Sequence, residues 1–182
     1  PKTTPVVFPV AALEQHGHHM PLFTDSLLCG EIVRRLSEID RFKEGVLFAP
    51  LQWFGNSDHH LDFPGTLSAP PRTYLDMLTG VMENFIYHGF QRLIFINGHG
   101  GNDVPGKQAV FEVRQKYRHR DDLLLLFATY WFLAQPSGLL QGSMGHACEW
   151  ETSMMLRIRP DLVGDLSKLE TVPFGNPFEP AS

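Results

Sequence analysis

The chain has 182 residues, 43% of them hydrophobic and 12% aromatic, enough apolar material for a sizeable core and a length that predicts one domain over 1–182. A net charge of −5, from 20 acidic and 15 basic residues with no long run of either sign, argues against a nucleic-acid groove or a polybasic membrane patch. No apolar run approaches the roughly 20 residues that span a bilayer, the start at Pro1 does not read as a signal peptide, and Cys29 and Cys148 lack a paired zinc or redox spacing, so a reducing, cytoplasmic setting is expected.

In chain order, 6–12 reads as a strand, apolar on both faces as buried parallel strands are. A helix over 25–37 follows, with Leu28, Cys29, Ile32 and Leu36 on one stripe and Thr24 as its expected N-cap. A second strand spans 46–51. A helix over 70–87 carries Leu75, Leu78, Met82, Phe85 and Ile86 inward and stops at Gly89. The strand 92–96 leads through a glycine-rich turn into a helix over 104–117, with Val110, Val113 and Tyr117 as its inner face, and a fourth buried strand covers 123–128. A last helix holds Glu149 and Glu151. The segment 171–182 has three prolines and little periodicity, so it reads as an extended tail. This alternation predicts an α/β fold of three α/β/α layers around a mostly parallel sheet, joined by right-handed crossovers.

Such folds gather functional groups at the carboxyl ends of their strands, and the metal-ligating residue types fall there. Glu14 and His16 follow the first strand, two residues apart, so an extended backbone turns both toward one pocket. His99 follows the third strand within Asn97-Gly98-His99-Gly100-Gly101-Asn102, where glycine allows a sharp turn or a close approach. Asp25 lies on the buried stripe of its helix, where a charge needs a partner. Glu149 and Glu151 are about 200° apart around their helix, and Glu151 shares its face with Met154, Met155 and Ile158. Carboxylates and imidazoles without thiolates suit zinc, manganese or iron, and two ions sharing a bridging Asp would acidify a water and clamp a carbonyl oxygen. Seven of the nine histidines cluster in these motif segments. His18 and His19 read as loop surface, His59 as surface or pocket rim, and His88 and His119 as solvated helix ends.

Four segments in order resemble the creatininase (creatinine amidohydrolase) family: Glu14-Gln15-His16-Gly17 with Pro21 and Thr24-Asp25; His60 with Phe63-Pro64-Gly65-Thr66; the 97–102 run; and His146-Ala147 with Glu151-Thr152-Ser153. The resemblance implies a binuclear metal hydrolase that cleaves non-peptide C–N bonds in small cyclic or linear amides. It also implies a homo-oligomer, often a hexamer. Two divalent ions are implied, zinc, manganese or both, with iron a further choice. By matching positions, Glu14, Asp25 and His99 would hold one ion, and His16, the bridging Asp25 and Glu151 the other. His146 would be the catalytic histidine that shuttles a proton to the leaving nitrogen, Glu151 would also serve catalysis, and His60 would touch substrate or support a ligand. Members acting on creatinine carry a ligating Glu where this chain has Gly101, leaving water or Glu151 to take its place. They also carry a tryptophan shortly before the catalytic histidine, where this chain reads Gln141-Gly142-Ser143-Met144-Gly145, which argues against creatinine itself. The family domain is expected to run on beyond 182.

Other readings stand beside these. The 97–102 turn could cradle a phosphate, although it lacks the Gly-Lys-Ser/Thr of a P-loop. Cys148 near a helix start could be a nucleophile with His146 as its base. A metal-binding module without turnover, acting as partner or sensor, is the alternative function.

Overall fold

The computed structural model describes residues 3–134 and 138–170; the expected tail over 171–182 lies outside them. Four strands form one parallel sheet in the order β2-β1-β3-β4: β1 (Pro5–Val10), β2 (Leu47–Phe48), β3 (Arg92–Asn97) and β4 (Leu124–Thr129). Between β1 and β2 lie α1 (Thr24–Ser37) and the single turn α2 (Asp40–Lys43). Then α3 (Pro71–Tyr87) leads to β3, α4 (Asp103–Lys116) to β4, and α5 (Glu149–Ile158) closes the series. Helices α3 and α4 cover one face, burying Tyr74, Leu78, Met82 and Val113 against Val6, Leu93, Phe95 and Leu125. On the other face Cys29 and Val33 of α1 meet Val7, Ala11 and Ile96, and α5 packs beside α1 through Leu28, Met20 and Met155. These are the three layers that the strand and helix alternation predicts.

Several local expectations change. The ladder of β2 is two residues long rather than 46–51, although the chain runs on beside β1, with Ala49 donating to the Val7 carbonyl and Gln52 to that of Pro9. Val7 and Pro9 therefore face β2, and Pro9 has no N–H to give, so a rung is lost there. Among the described residues only one face of β4 is covered: Leu125 is buried, whereas Leu124 and Leu126 are 43% and 44% exposed. In α1 the N-cap position falls on Phe23, while Thr24 is the first helical residue and its hydroxyl donates to the Pro21 carbonyl at 2.6 Å. Val33 is buried in place of Ile32 and Leu36, which line a cavity of about 440 Å³ with Trp131 and Trp150. Among the described residues no helix is long and apolar enough to cross a membrane.

The strand order has a functional consequence. After β1 the chain first moves to β2 on one side and later to β3 on the other, so a crevice opens between the carboxyl ends of β1 and β3. The loops over 11–23 and 98–102 bound it.

Candidate metal centre

Four chain segments fill this crevice with ionisable side chains. Past β1 the backbone is pinned by Glu14 N–H donating to the Leu22 carbonyl at 3.0 Å, and by Leu67 N–H donating to that of Leu13. Gly17 turns at φ +65°, a left-handed geometry that side chains resist, and folds 18–20 back beside His16. Asp25 stands in the first turn of α1, where the helix dipole favours an anion. His99 is held by the Asn97 side chain, whose Oδ1 accepts from His99 N–H at 3.1 Å and whose Nδ2 donates to the His99 carbonyl at 2.7 Å. A Cβ on Gly98 would come within 2.6 Å of the Cys29 Cβ, so bare backbone there lets α1 bring Asp25 against the His99 turn. Glu151, in the first turn of α5, accepts the Cys148 N–H at 3.2 Å through one oxygen and turns the other inward.

The resulting distances are short. Asp25 bridges the two imidazoles, with Oδ1 3.0 Å from His16 Nε2 and Oδ2 2.9 Å from His99 Nδ1. Glu14 Oε1 lies 3.2 Å from His99 Nδ1, and Glu151 Oε1 3.4 Å from His16 Nε2. All five side chains are buried. Each ring is anchored from behind: His16 Nδ1 donates to the Glu14 carbonyl at 3.2 Å, and His99 Nε2 to the Asn56 carbonyl at 2.7 Å. In the neutral tautomers so fixed, the nitrogens that face the carboxylates carry lone pairs, and a lone pair 3 Å from a carboxylate oxygen needs a cation between them. Glu14 Oε2, Asp25 Oδ2 and His16 Nε2 are buried without a hydrogen-bond partner. They approach one another without the alignment of hydrogen bonds, as atoms converging on a common centre do.

Without an ion, protons supply that positive charge. Burial alone depresses the His16 imidazolium, but Asp25 and Glu151 outweigh it and push its pKa up to about 11. For His99 burial is likewise overcome by Asp25 and Glu14, giving about 10. Burial raises Asp25 and Glu14, yet His16 and His99 hold the Asp25 carboxyl well below its usual range, and His99 lowers that of Glu14. Donor atoms of Glu14, His16 and Asp25 lie within 4.8 Å of one another, a set of hard oxygens and imidazole nitrogen that fits a divalent ion.

The rim is histidine-rich. His60 and His146 stack with centroids 4.2 Å apart, and His146 lies 4.5 Å from His16. Gln15, which the sequence reading leaves without a role, ties them together: its amide nitrogen donates to His60 Nδ1 at 3.1 Å and to His146 Nε2 at 2.8 Å. Its Oε1 accepts Gly17 N–H at 2.8 Å, which fixes the amide orientation. The remaining N–H of His146, on Nδ1, therefore points to Glu14 Oε1 at 3.4 Å. Burial lowers the pKa of His60 to about 4, and burial together with the nearby His16 charge lowers that of His146, so both rings are neutral near pH 7.

The structure brings Glu14, His16, Asp25, His99 and Glu151 together, with His60 and His146 at the mouth. His19, expected on the surface, is buried and hydrogen-bonds Thr152 Oγ1 at 2.9 Å because the Gly17 turn tucks it toward α5. His59 stands half-exposed beside His99. Glu149 points away from the centre and accepts from the Leu140 and Gln141 backbones at 3.2 and 2.8 Å. Burial raises the Cys148 thiol pKa, the reverse of what a cysteine nucleophile needs.

The family described as creatinine amidohydrolase, Creatininase, matches this chain over residues 1–179. The creatinine amidohydrolase of Pseudomonas putida is 29% identical over 180 residues, covering 90% of this chain and 67% of that protein. The mycofactocin precursor peptide peptidase of Mycobacterium ulcerans is 30% identical over 169 residues, covering 90% of this chain and 62% of that one. The chain thus spans under two thirds of the second relative's length. A solved structure titled as a manganese creatininase superimposes with a TM-score of 0.79 at 29% identity, covering 97% of this chain and 74% of the other.

Proposed function

The chain belongs to the creatininase family, a membership from which we propose that it is a metal-dependent amidohydrolase cleaving a non-peptide C–N bond in a small cyclic or linear amide. The observation that carries this reading is the buried Asp25 carboxylate, held within 3.0 Å of two imidazole nitrogens from different segments with no hydrogen-bond partner for its Oδ2. Glu14, Asp25 and His99 would hold one divalent ion, and His16, Asp25 and Glu151 the other. Zinc and manganese both suit these donors, iron as well. Bound there, the ions would polarise the scissile carbonyl and acidify an attacking water.

The chain's own groups divide the remaining work. Hydrolysis forms a C–O bond, breaks the C–N bond, and moves one proton from the water to the departing nitrogen. With Glu151 Oε1 committed to the ion, His146 takes that proton as the C–O bond forms and releases it to the nitrogen as the C–N bond breaks. Burial keeps the His146 ring neutral and so ready to accept a proton, and Gln15 orients it. His60, stacked on His146, borders the substrate space. Creatinine is not the substrate we favour. Assembly into a homo-oligomer belongs to the same reading, and the exposed Leu124 and Leu126 supply apolar surface for it.

A panel of lactams, cyclic amides and formamides, assayed with each metal added back, tests the proposal. Metal-dependent turnover is expected, with His146→Ala losing about 10²–10⁴-fold in kcat while retaining its metal. Bound metal with no turnover across the panel would instead support a binding module.

A further inference from the structure

We propose that His59 is a metal ligand, adding an imidazole to the ion site built on Glu14, Asp25 and His99; this rests on the metal-hydrolase reading above. The helical turn Asp58–His60 offers two adjacent imidazoles with different commitments. His60 is engaged through Nδ1 by Gln15 and stacked on His146, and its Nε2 lies 4.0 Å from Glu14 Oε2, but it groups with His146 at the mouth rather than with His99. Among the described residues His59 has no side-chain hydrogen bond. Its Nε2 faces Glu14 Oε2 at 3.9 Å, the carboxylate oxygen that is buried without a partner. One donor atom from each of Glu14, His59 and His99 lies within 4.8 Å of the other two. Tetrahedral bonds of about 2.1 Å set ligand atoms roughly 3.4 Å apart, a closure that a half-exposed ring can make.

Packing around Gly101 explains how His59 reaches this place. A Cβ at position 101 would lie 2.1 Å from the Asn56 carbonyl oxygen, 2.6 Å from His99 Nε2 and 3.0 Å from His59 Cε1. Bare backbone at 101 is what allows the 56–59 segment to lie directly on the His99 turn. That segment is braced on its other side. Asn56 N–H donates to Asn102 Oδ1 at 2.9 Å and Asn56 Nδ2 to the Ala69 carbonyl at 2.9 Å, while Ser57 N–H donates to Ser68 Oγ at 2.7 Å. Ser68 Oγ–H in turn donates to Asp58 Oδ1 at 2.5 Å. A ring offered from so well-held a turn loses little freedom on binding. With His59 the Glu14 site has four protein ligands, whereas the site of His16, Asp25 and Glu151 has three and keeps a position open for water or substrate, the usual division between closed and catalytic sites.

The test is metal stoichiometry and affinity, by elemental analysis and chelator competition with zinc, on the wild-type chain, His59→Ala, His59→Gly and the control His18→Ala. Two ions are expected in the wild type and in the control. His59→Ala should weaken one ion by at least about tenfold, the lower end for losing even an outer supporting partner, and leave the other unchanged. Millimolar imidazole should restore the lost affinity in His59→Gly, which also shows that the variant is folded. A wild type with two ions and a His59→Ala variant holding both as tightly would overturn the His59 assignment alone. A wild type that binds no zinc would overturn the metal-hydrolase reading with it.

Discussion

Loading the metal-free protein with two divalent ions should release about two protons per molecule at pH 7. The number follows from the electrostatics of the centre. Asp25 and Glu14 are already ionised, their carboxyls held low by His16 and His99, and His60 and His146 are already neutral. Among the buried ligands His16, at about 11, and His99, at about 10, carry a proton at pH 7 that must leave before the ring nitrogen can bind an ion. Each ion displaces one of them, so each apparent affinity should rise about tenfold per pH unit until the imidazolium pKa is reached. Isothermal titration of zinc at pH 7 in buffers of different ionisation enthalpy measures the proton count directly from the slope. His16→Ala and His99→Ala should each reduce it to about one. Tight binding with a slope near zero, or a slope that neither variant changes, would refute the reasoning, because the ions would then sit elsewhere.

Three further outcomes are expected. The same pKa values set the stability of the metal-free fold: a histidine raised from 6.5 stabilises fully below pH 6.5 and loses that contribution as pH rises through 10–11. The urea midpoint of the metal-free protein should therefore fall steadily from pH 7 to pH 10, and that of the loaded protein should fall much less. Gly98→Ala should cost about 1–3 kcal/mol in urea unfolding, since its Cβ would meet that of Cys29 at 2.6 Å, and should lower metal content by pushing Asp25 from His99. Gln15→Leu should leave metal content unchanged but remove the donor to His60 and His146; ¹⁵N-histidine spectra should then show His146 as a tautomer mixture in place of one form.

Much of the layered fold and of the centre is legible in the sequence, for reasons particular to certain residues. The apolar runs around Val6 and Leu93 mark both central strands, and their full ladder forms. Glu14, His16, Asp25 and His99 stand out because a carboxylate or imidazole beside a strand end or on an apolar stripe has no cheaper place to go. What escapes is set by contacts between segments distant in the chain. Pro9 shortens β2 by failing to donate across to another strand, and the exposure of Leu124 and Leu126 depends on what lies over β4 rather than on their own pattern. Gln15 gains its role only when Gly17 fixes its amide and position 146 arrives 131 residues later. His59 reads from the sequence as surface or pocket rim, and only the crowding at Gly101, which lays the 56–59 segment on the His99 turn, brings it to the centre.

Anomalous diffraction from a zinc- or manganese-loaded crystal would locate the ions themselves. Two peaks are predicted with the Asp25 carboxylate between them, one against Glu14 and His99 and the other against His16 and Glu151. Peaks away from Asp25, or none at saturating metal, would contradict a centre assembled from these segments.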